Sequence, residues 1–427
     1  MERMRTGRAG RSLFGLPLLY WGLWLAILIL WMGRFVMSFL SIYLVSQLHI
    51  DEGVVGTVVS MYGFGAIIGC LFGGALSDRF GRQPMIVIGE VGAAAMLVTI
   101  AHLADPLALG VALFAYGAVA SLPSPAIAAY IADVVPARDR QRAYTLQSWA
   151  INFGYAIGPI IANQLVKFSY ALMFYVEAAV LIGVTLLLVA FFREARHLGL
   201  MIPGASRSAD AGGDSGGPSS GRVSMARNYR RAVTDVPFVL FVALVFGYLL
   251  VYYQSTSGLP IAMTNLGMGT AEYSVLLTIN GGMLCLLQIP AMKVFKRMGN
   301  SRVMIVGLAV TAVGYGVQIM ADSWAGFALA VVLWTLGELG TFPIAATTVA
   351  ALAPADARGT YQGLYNVAMS LALAFAPMVG GGIIGAAGGR ALWICCTAAL
   401  VLVTLGLWAT KNSREREIAR NLTEIDV

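Results

Sequence analysis

The chain runs to 427 residues, 59% of them hydrophobic and only 11% charged, with a net charge of +7, four cysteines and three histidines. Soluble domains average about 45–50% apolar residues, so this composition excludes an ordinary aqueous fold and indicates a polytopic membrane protein. The cysteines and histidines form neither a disulfide framework nor a metal set, and the positive charge is assigned to membrane orientation and anionic headgroups rather than to nucleic acid.

Apolar runs of the roughly 20 residues needed to cross a hydrocarbon core predict twelve spans: 17–45, 54–76, 84–104, 107–133, 143–167 and 170–192, then 236–263, 273–294, 301–321, 325–352, 359–387 and 390–410. They are expected to be helices, because lipid leaves no other partner for the backbone and no alternating barrel pattern is present. The first run is too long for a secretory signal and lacks a small-residue cleavage site, so it reads as an uncleaved helix. Placing the termini and the even-to-odd loops on one side puts 25 of the 28 lysines and arginines there. That side is predicted to be cytoplasmic, in a plasma (inner) membrane.

Between the sixth and seventh spans, "GASRSADAGGDSGGPSSG" at 204–221 reads as a flexible linker. The basic stretch "RVSMARNYRRAV" that follows is expected at the headgroup surface or in solvent. The predicted organisation is an amino-terminal six-helix bundle (1–192), a cytoplasmic linker (193–235) and a carboxy-terminal six-helix bundle with a short tail (236–427). A shift of 218 residues carries Gly81 onto Gly299, Gly89 onto Gly307, Pro136 onto Pro354, Arg140 onto Arg358 and Pro159 onto Pro377. One shift acting over the whole chain marks the halves as repeats.

The turn after the second span reads "GALSDRFGRQPMI" (74–86). Gly74 and Gly81 suit a tight turn and close helix approach, and Asp78 stands where a carboxylate could meet the start of the eleventh helix near Arg358 to Tyr361. The stretch resembles the G-x-L-x-D-R-x-G-R-(R/K) loop signature of the major facilitator superfamily, with Gln83 departing at the last basic position. The resemblance implies a two-bundle, twelve-helix transporter in which Gly74, Asp78, Arg79, Gly81 and Arg82 form a conformational latch, and Asp133 is the partner expected for Arg82. The alternative is that these charges only end helices and set topology. Residues 128–159 resemble the fourth and fifth helices of the drug:proton antiporter branch. Gly154, Gly158 and Pro159 match its G-x-x-x-G-P, while Ala162 and Asn163 replace its following Gly pair and the fourth-helix Arg is missing. Close helix packing alone would also account for the two glycines.

Three ionisable residues fall well inside spans: Arg34, Glu177 and Glu338. Such groups are costly in lipid and are functional-site candidates by default. Glu338 in "LGELGTFP" lies near the midplane, where it could bind and release a proton, or serve as a structural ion-pair partner. Arg34 is expected either to contact an anionic group of the substrate or to pair with Glu177, and Glu90 to join the charge cluster on the basic side. Asn152, Tyr252, Tyr253, Gln254, Asn280, Trp334, Tyr365 and Asn366 are candidates to line a cavity for an amphipathic ligand, with packing the alternative for each. His49, His102 and His197 sit at loops or helix ends, against a central histidine relay.

No phosphate-binding G-x-x-x-x-G-K-(S/T) run, nucleophile–histidine pair or metal set is present, so direct ATP drive, enzymatic activity and cofactors are not expected. The prediction is a secondary transporter acting as a monomer on a small-molecule substrate in the lipid bilayer, with protons as coupling ion and export of drug-like molecules as the activity. The alternatives are a metabolite importer or facilitator, a lipid flippase, or a non-transporting sensor.

Overall fold

A computed structural model describes residues 12–136, 139–197, 227–295, 297–354 and 357–423. Apart from a hairpin of two-residue strands, β1 (Ser12–Leu13) and β2 (Leu16–Pro17), the described elements are helices. The first half comprises α1 (Leu18–Gly33), α2 (Val36–Ser46), α3 (Glu52–Phe80), α4 (Arg82–Ile100), α5 (Pro106–Ser121), α6 (Pro123–Val134), α7 (Arg140–Val166) and α8 (Tyr170–His197). The second half comprises α9 (Val236–Tyr252), a 3-10 turn (Tyr253–Ser255), α10 (Gly258–Asn265), α11 (Thr270–Phe295), α12 (Asn300–Gln318), α13 (Trp324–Glu338), α14 (Phe342–Leu352), α15 (Arg358–Ala409) and α16 (Lys411–Thr423). Residues 227–234 are also helical; the glycine- and serine-rich linker at 204–221 lies outside the described residues.

Local chemistry explains many of the boundaries. Asp105 starts α5 by accepting the Ala108 N–H at 2.8 Å, with Pro106 next in line, and Asp235 does the same for Phe238 at 3.1 Å ahead of α9. These are side-chain caps for amides that a helix start leaves without partners. Gly81, at φ 94°, takes the turn between α3 and α4, and Gly388, at φ 80°, bends α15 partway along its 52 residues.

The repeat inferred from the residues is visible in the boundaries. Helices begin at 18 and 236, at 82 and 300, at 106 and 324, and at 140 and 358, while α6 and α14 end at 134 and 352. The first and fourth spans of each repeat are also interrupted near mid-length, at 34–35, 122, 253–257 and 339–341. Proline explains the second member of each repeat, through Pro123 and Pro343, because it cannot donate to the preceding turn.

Among the described residues, ten helices are long and apolar enough to cross a membrane, against the twelve spans expected. The difference lies at α15, which carries two expected spans through the Gly388 bend, and at α7, a 27-residue helix whose polar residues lower its hydropathy. Leu107, Leu186, Leu286 and Leu402 are all more than 60% exposed. Side chains of that kind belong against lipid rather than water.

Contacts divide the chain into two units: residues 1–36 with 65–213, and residues 37–64 with 214–427. In unit 1, α4 packs on α5 and α8, and α1 on α7 and α8. In unit 2, α12 packs on α13 and α15, and α9 on α15. Unit 2 also takes in the first half of α3. There Cβ atoms on Gly56 and Gly63 would overlap the backbone of α15 at Pro377 and Ala374, and Ser60 Oγ accepts the Met378 N–H at 2.9 Å.

The carboxy-terminal α16 docks on unit 2 through Arg414, which is 2% exposed. Its guanidinium donates to Thr410 Oγ1 (3.2 Å), Ser301 Oγ (3.3 Å) and the Leu407 carbonyl (3.4 Å), and lies 5.4 Å from the Phe241 ring centre. Burial draws its pKa below the ordinary arginine value, with Glu415 opposing the shift. Asn421 Nδ2 donates to the Leu352 carbonyl at 2.7 Å, so the same helix also holds the end of α14.

Candidate functional site

In unit 1 the intramembrane charges gather at the interruption of the first span. No residue in "WMGRFVM" forces a break, and the break is stabilised from outside. Glu177 of α8 accepts the Phe35 N–H at 3.0 Å and the Val36 N–H at 2.7 Å on one oxygen, and the Tyr116 hydroxyl at 3.1 Å on the other. A carboxylate thus caps the amide end of α2 at membrane depth, where water is not available to do so.

Arg34, in the interruption itself, donates to both oxygens of Glu90 at 2.7 and 2.8 Å. This corrects two expectations. Arg34 takes Glu90 as a salt-bridge partner, with Glu177 near enough to feel its charge, and Glu90 belongs to this buried group rather than to the basic-side cluster. Counting residues from the starts of α1 and α4 puts Arg34 and Glu90 about 12 Å apart in depth; their bond requires that the two helices start at different levels.

The antiporter-like glycines have a packing role. A Cβ on Gly154 would come within 2.5 Å of Trp31 Cβ, and one on Gly158 within 3.1 Å of the Met32 carbonyl, so α7 lies backbone to backbone against α1. Pro159 falls inside α7. Asn152 is half-buried in the same helix.

At the basic side, Arg82 reaches Asp133 at 3.5 Å and Ser77 Oγ at 3.1 Å, while Arg79 stacks 5.4 Å over Phe80. The Asp78 side chain lies outside the described residues, as does that of Arg358. Gly74 departs from expectation: among the described residues nothing lies within 4 Å of a Cβ built there, and Gly73 makes the close approach, to Leu122. Neighbouring helical residues are about 100° apart around the axis, so the two glycines face different ways.

Unit 2 assembles a second site where the seventh and tenth spans are interrupted. Glu338 closes α13 and is 6% exposed. Asn280 of α11 donates to Glu338 Oε2 at 2.9 Å and to Thr335 Oγ1 at 3.0 Å, and Tyr252 is placed to hydrogen-bond the same carboxyl. Tyr248 and Thr341 share a hydrogen bond of 2.8 Å, and Thr341 donates to the Glu338 carbonyl at 3.1 Å. The carboxyl therefore has neutral partners, with no ion pair among the described residues.

The interruption at 253–257 is satisfied carbonyl by carbonyl, as lipid requires. Tyr315 donates to Val251, Tyr273 to Ser255, Ser257 to Tyr253 and Gln254 to Leu250. Gln254, expected to line a cavity, is 2% exposed and also donates to the Ala376 carbonyl at 2.8 Å, which its planar amide reaches only because Gly380 has no side chain. It fastens the interruption to α15.

Trp334 is likewise turned inward, packed at Gly314 and 6.5 Å from the Tyr315 ring. Tyr252 and Tyr253 are half-buried and 5.3 Å apart, Tyr252 lies 4.7 Å from Phe342, Tyr365 is buried and Asn366 is exposed. Tyr116, Tyr248, Thr335 and Thr341 were not foreseen. Their signal was their place within a turn or two of an intramembrane carboxylate or interruption.

A family model of the Major Facilitator Superfamily matches residues 23–269 and again 240–424. The chain belongs to the major facilitator superfamily. Its relatives include the uncharacterized MFS-type transporter YttB of Bacillus subtilis (strain 168), 26% identical over 87% of this chain and 88% of that protein. The multidrug resistance protein MdtH of Salmonella typhimurium is 25% identical over 75% and 72%. Among solved structures, a mutant of the peptide transporter POT in complex with sulfate superposes with a TM-score of 0.78 over 96% of this chain and 97% of that one, at 16% identity. A D-xylose–proton symporter superposes at 0.69 over 91% and 95%, at 18% identity. This superfamily member is an integral, multi-pass membrane protein, and a secondary transporter rather than an enzyme.

Proposed function

We propose that this transporter exports drug-like, amphipathic small molecules in exchange for protons, by alternating access across the plasma (inner) membrane, with both termini cytoplasmic and the single chain as the functional unit. The observation that carries the coupling is the setting of Glu338. Asn280 and Tyr252 can serve its carboxyl with or without its proton, because a side-chain amide and a hydroxyl each offer a donor or an acceptor. A carboxylate held by a fixed cation, as Glu90 is by Arg34, lacks that freedom. Protonation shifts the transporter between states only to the extent that the two states bind the proton unequally. One proton entering down about 100 mV supplies about 2.3 kcal/mol.

Export of drug-like molecules is supported by the MdtH relative and by the partial antiporter signature, whose Gly154 and Gly158 seat α7 on α1. The orientation is supported by the lysine and arginine bias, and the monomer by the presence of both repeats in one chain. The loop from Gly74 to Arg82 acts in this reading as the cytoplasmic latch, with Asp133 steadying Arg82.

The test is proton movement in proteoliposomes when lipophilic cations and antibiotics are added, comparing wild type with Glu338→Gln. Substrate-dependent proton flux that disappears in the variant is expected. Absence of flux in the wild type across the panel overturns the antiport reading, and flux that survives in Glu338→Gln removes Glu338 from the coupling.

A further inference from the structure

We infer that α16 is a releasable brace on the tenth span, and that Asn421 in it is a positioning residue for the Glu338 site. The inference deepens the antiport reading and rests on it only for the role of the Glu338 proton. The tenth span is two helices with a joint. α13 is seated backbone to backbone on α12, where Gly307, Gly314 and Gly337 leave no room for side chains. α14 starts beyond the joint at 339–341, and Pro343 has no N–H to return to that turn. With 11 residues it is about 16 Å long, so a shift of about 3 Å at its far end tilts it by about 10°.

The two ends of α14 connect the site to the carboxy-terminal helix. At the joint, Thr341 bonds the Tyr248 hydroxyl and the Glu338 carbonyl, so a tilt of α14 is felt at once around the Glu338 carboxyl. The side chains facing that carboxyl are Asn280 of α11, Tyr248 and Tyr252 of α9, Tyr315 of α12, Thr335 on its own helix and Thr341 of the joint, none of them charged. At the far end, Asn421 donates to the Leu352 carbonyl at 2.7 Å, one of the last carbonyls that a helix cannot satisfy by itself. About 10 Å back along α16, Arg414 ties the same helix to Ser301 at the start of α12, to Leu407 and Thr410 at the end of α15, and to the Phe241 ring of α9. The helix thus straps the far end of α14 to three neighbours.

The strap is polar and incompletely satisfied. Among the described side chains of α16, Arg414 and Asn421 are the buried ones, while Glu415, Arg416, Ala419 and Arg420 are exposed. Arg414 is buried as a cation with no salt bridge among the described residues. Asn421 is 4% exposed, and its Oδ1 is buried without a hydrogen-bond partner. Both features oppose docking. A permanent attachment would bury leucines at these positions; a marginal one can yield when α14 tilts.

The experiment compares the full-length wild type with Asn421→Asp, which sets a carboxylate against the Leu352 carbonyl, and with Asn412→Asp, the same change at an exposed position of α16. Hydrogen exchange in nanodiscs is read at 342–352, 411–423 and, as reference, 300–318; substrate-driven proton flux in proteoliposomes is read against pH. In Asn421→Asp, exchange is expected to rise about tenfold at 342–352 and 411–423 but not at 300–318, and the pH of half-maximal flux to move by about half a unit. Asn412→Asp is expected to match wild type in both. Asn421→Ala, which removes the donor without adding charge, is expected to give the same pattern to a smaller extent and guards against misfolding of the aspartate variant. Exchange that stays unchanged at 342–352, or that rises equally at 300–318, overturns the brace. Faster exchange at 342–352 with an unaltered pH profile overturns the positioning role of Asn421. A wild type without substrate-driven flux overturns the antiport reading instead, and exchange at 342–352 still decides the brace.

Discussion

At Arg34 and just after its repeat counterpart Tyr252, the first helix of each repeat gives way, and the two repeats line the gap with opposite chemistry. Unit 1 puts a guanidinium there, clamps it to Glu90 and caps the following helix with Glu177. Unit 2 puts a tyrosine there, beside a carboxyl whose partners carry no charge. Duplication supplied the same scaffold twice; the Glu338 carboxyl of unit 2, unlike Glu90 of unit 1, has no cation among its described hydrogen-bond partners.

Substitutions test this contrast through stability and transport together. The largest effect is expected for Arg34→Ala, which strands Glu90 in a buried site; removing one partner of such a pair costs about 3–5 kcal/mol. It should appear as a large drop in the thermal unfolding midpoint in detergent. A midpoint within a degree or two of wild type would mean that the pair is not the clamp of unit 1.

Glu177→Ala comes next. It leaves two buried amides and the Tyr116 hydroxyl without their acceptor, at about 2–3 kcal/mol. Glu177→Gln should recover most of that loss, because its carbonyl can take both N–H groups while its NH2 donates to Tyr116. If Gln is as damaging as Ala, charge rather than hydrogen bonding holds the bend.

Glu338→Gln should cost less than about 1 kcal/mol, since neutral partners accept an amide, while transport coupling is lost. Tyr252→Phe should change stability least, by about 0.5–1 kcal/mol, with a measurable shift in the pH dependence of transport. An unaltered pH profile in that variant would remove Tyr252 from the proton site.

Much of the scaffold was legible beforehand because its causes are local. Span positions follow from apolar length, Asp105 and Asp235 are recognisable caps, and one sequence shift anticipates helix starts the structure reproduces residue for residue. The candidate site was legible only in part. Glu338, Asn280 and Tyr252 were named separately, since rare polar groups in lipid draw attention by themselves, yet their meeting depends on how three helices pack.

The break at Arg34 was illegible for a physical reason. Gly33 only weakens a helix in "WMGRFVM" without forcing it to stop, and the carboxylate that stabilises the break lies more than 140 residues away in sequence. Gln254 misled in the opposite sense: an amide in an apolar run resembles a ligand contact, and this one serves backbone carbonyls.

The crossing of α3 with α15 has a mechanical meaning. Its contact is made by Gly56, Ser60 and Gly63 on one side and Ala374, Pro377 and Gly381 on the other, with the Ser60–Met378 bond as a polar tie and the edge-to-face Phe64–Phe375 pair beside it. Large interlocked side chains must be withdrawn from their sockets before two helices can part, whereas smooth backbones have nothing to withdraw. The surface resembles a bearing more than a bolt: it holds through close approach of backbones, with few large side chains to unlock.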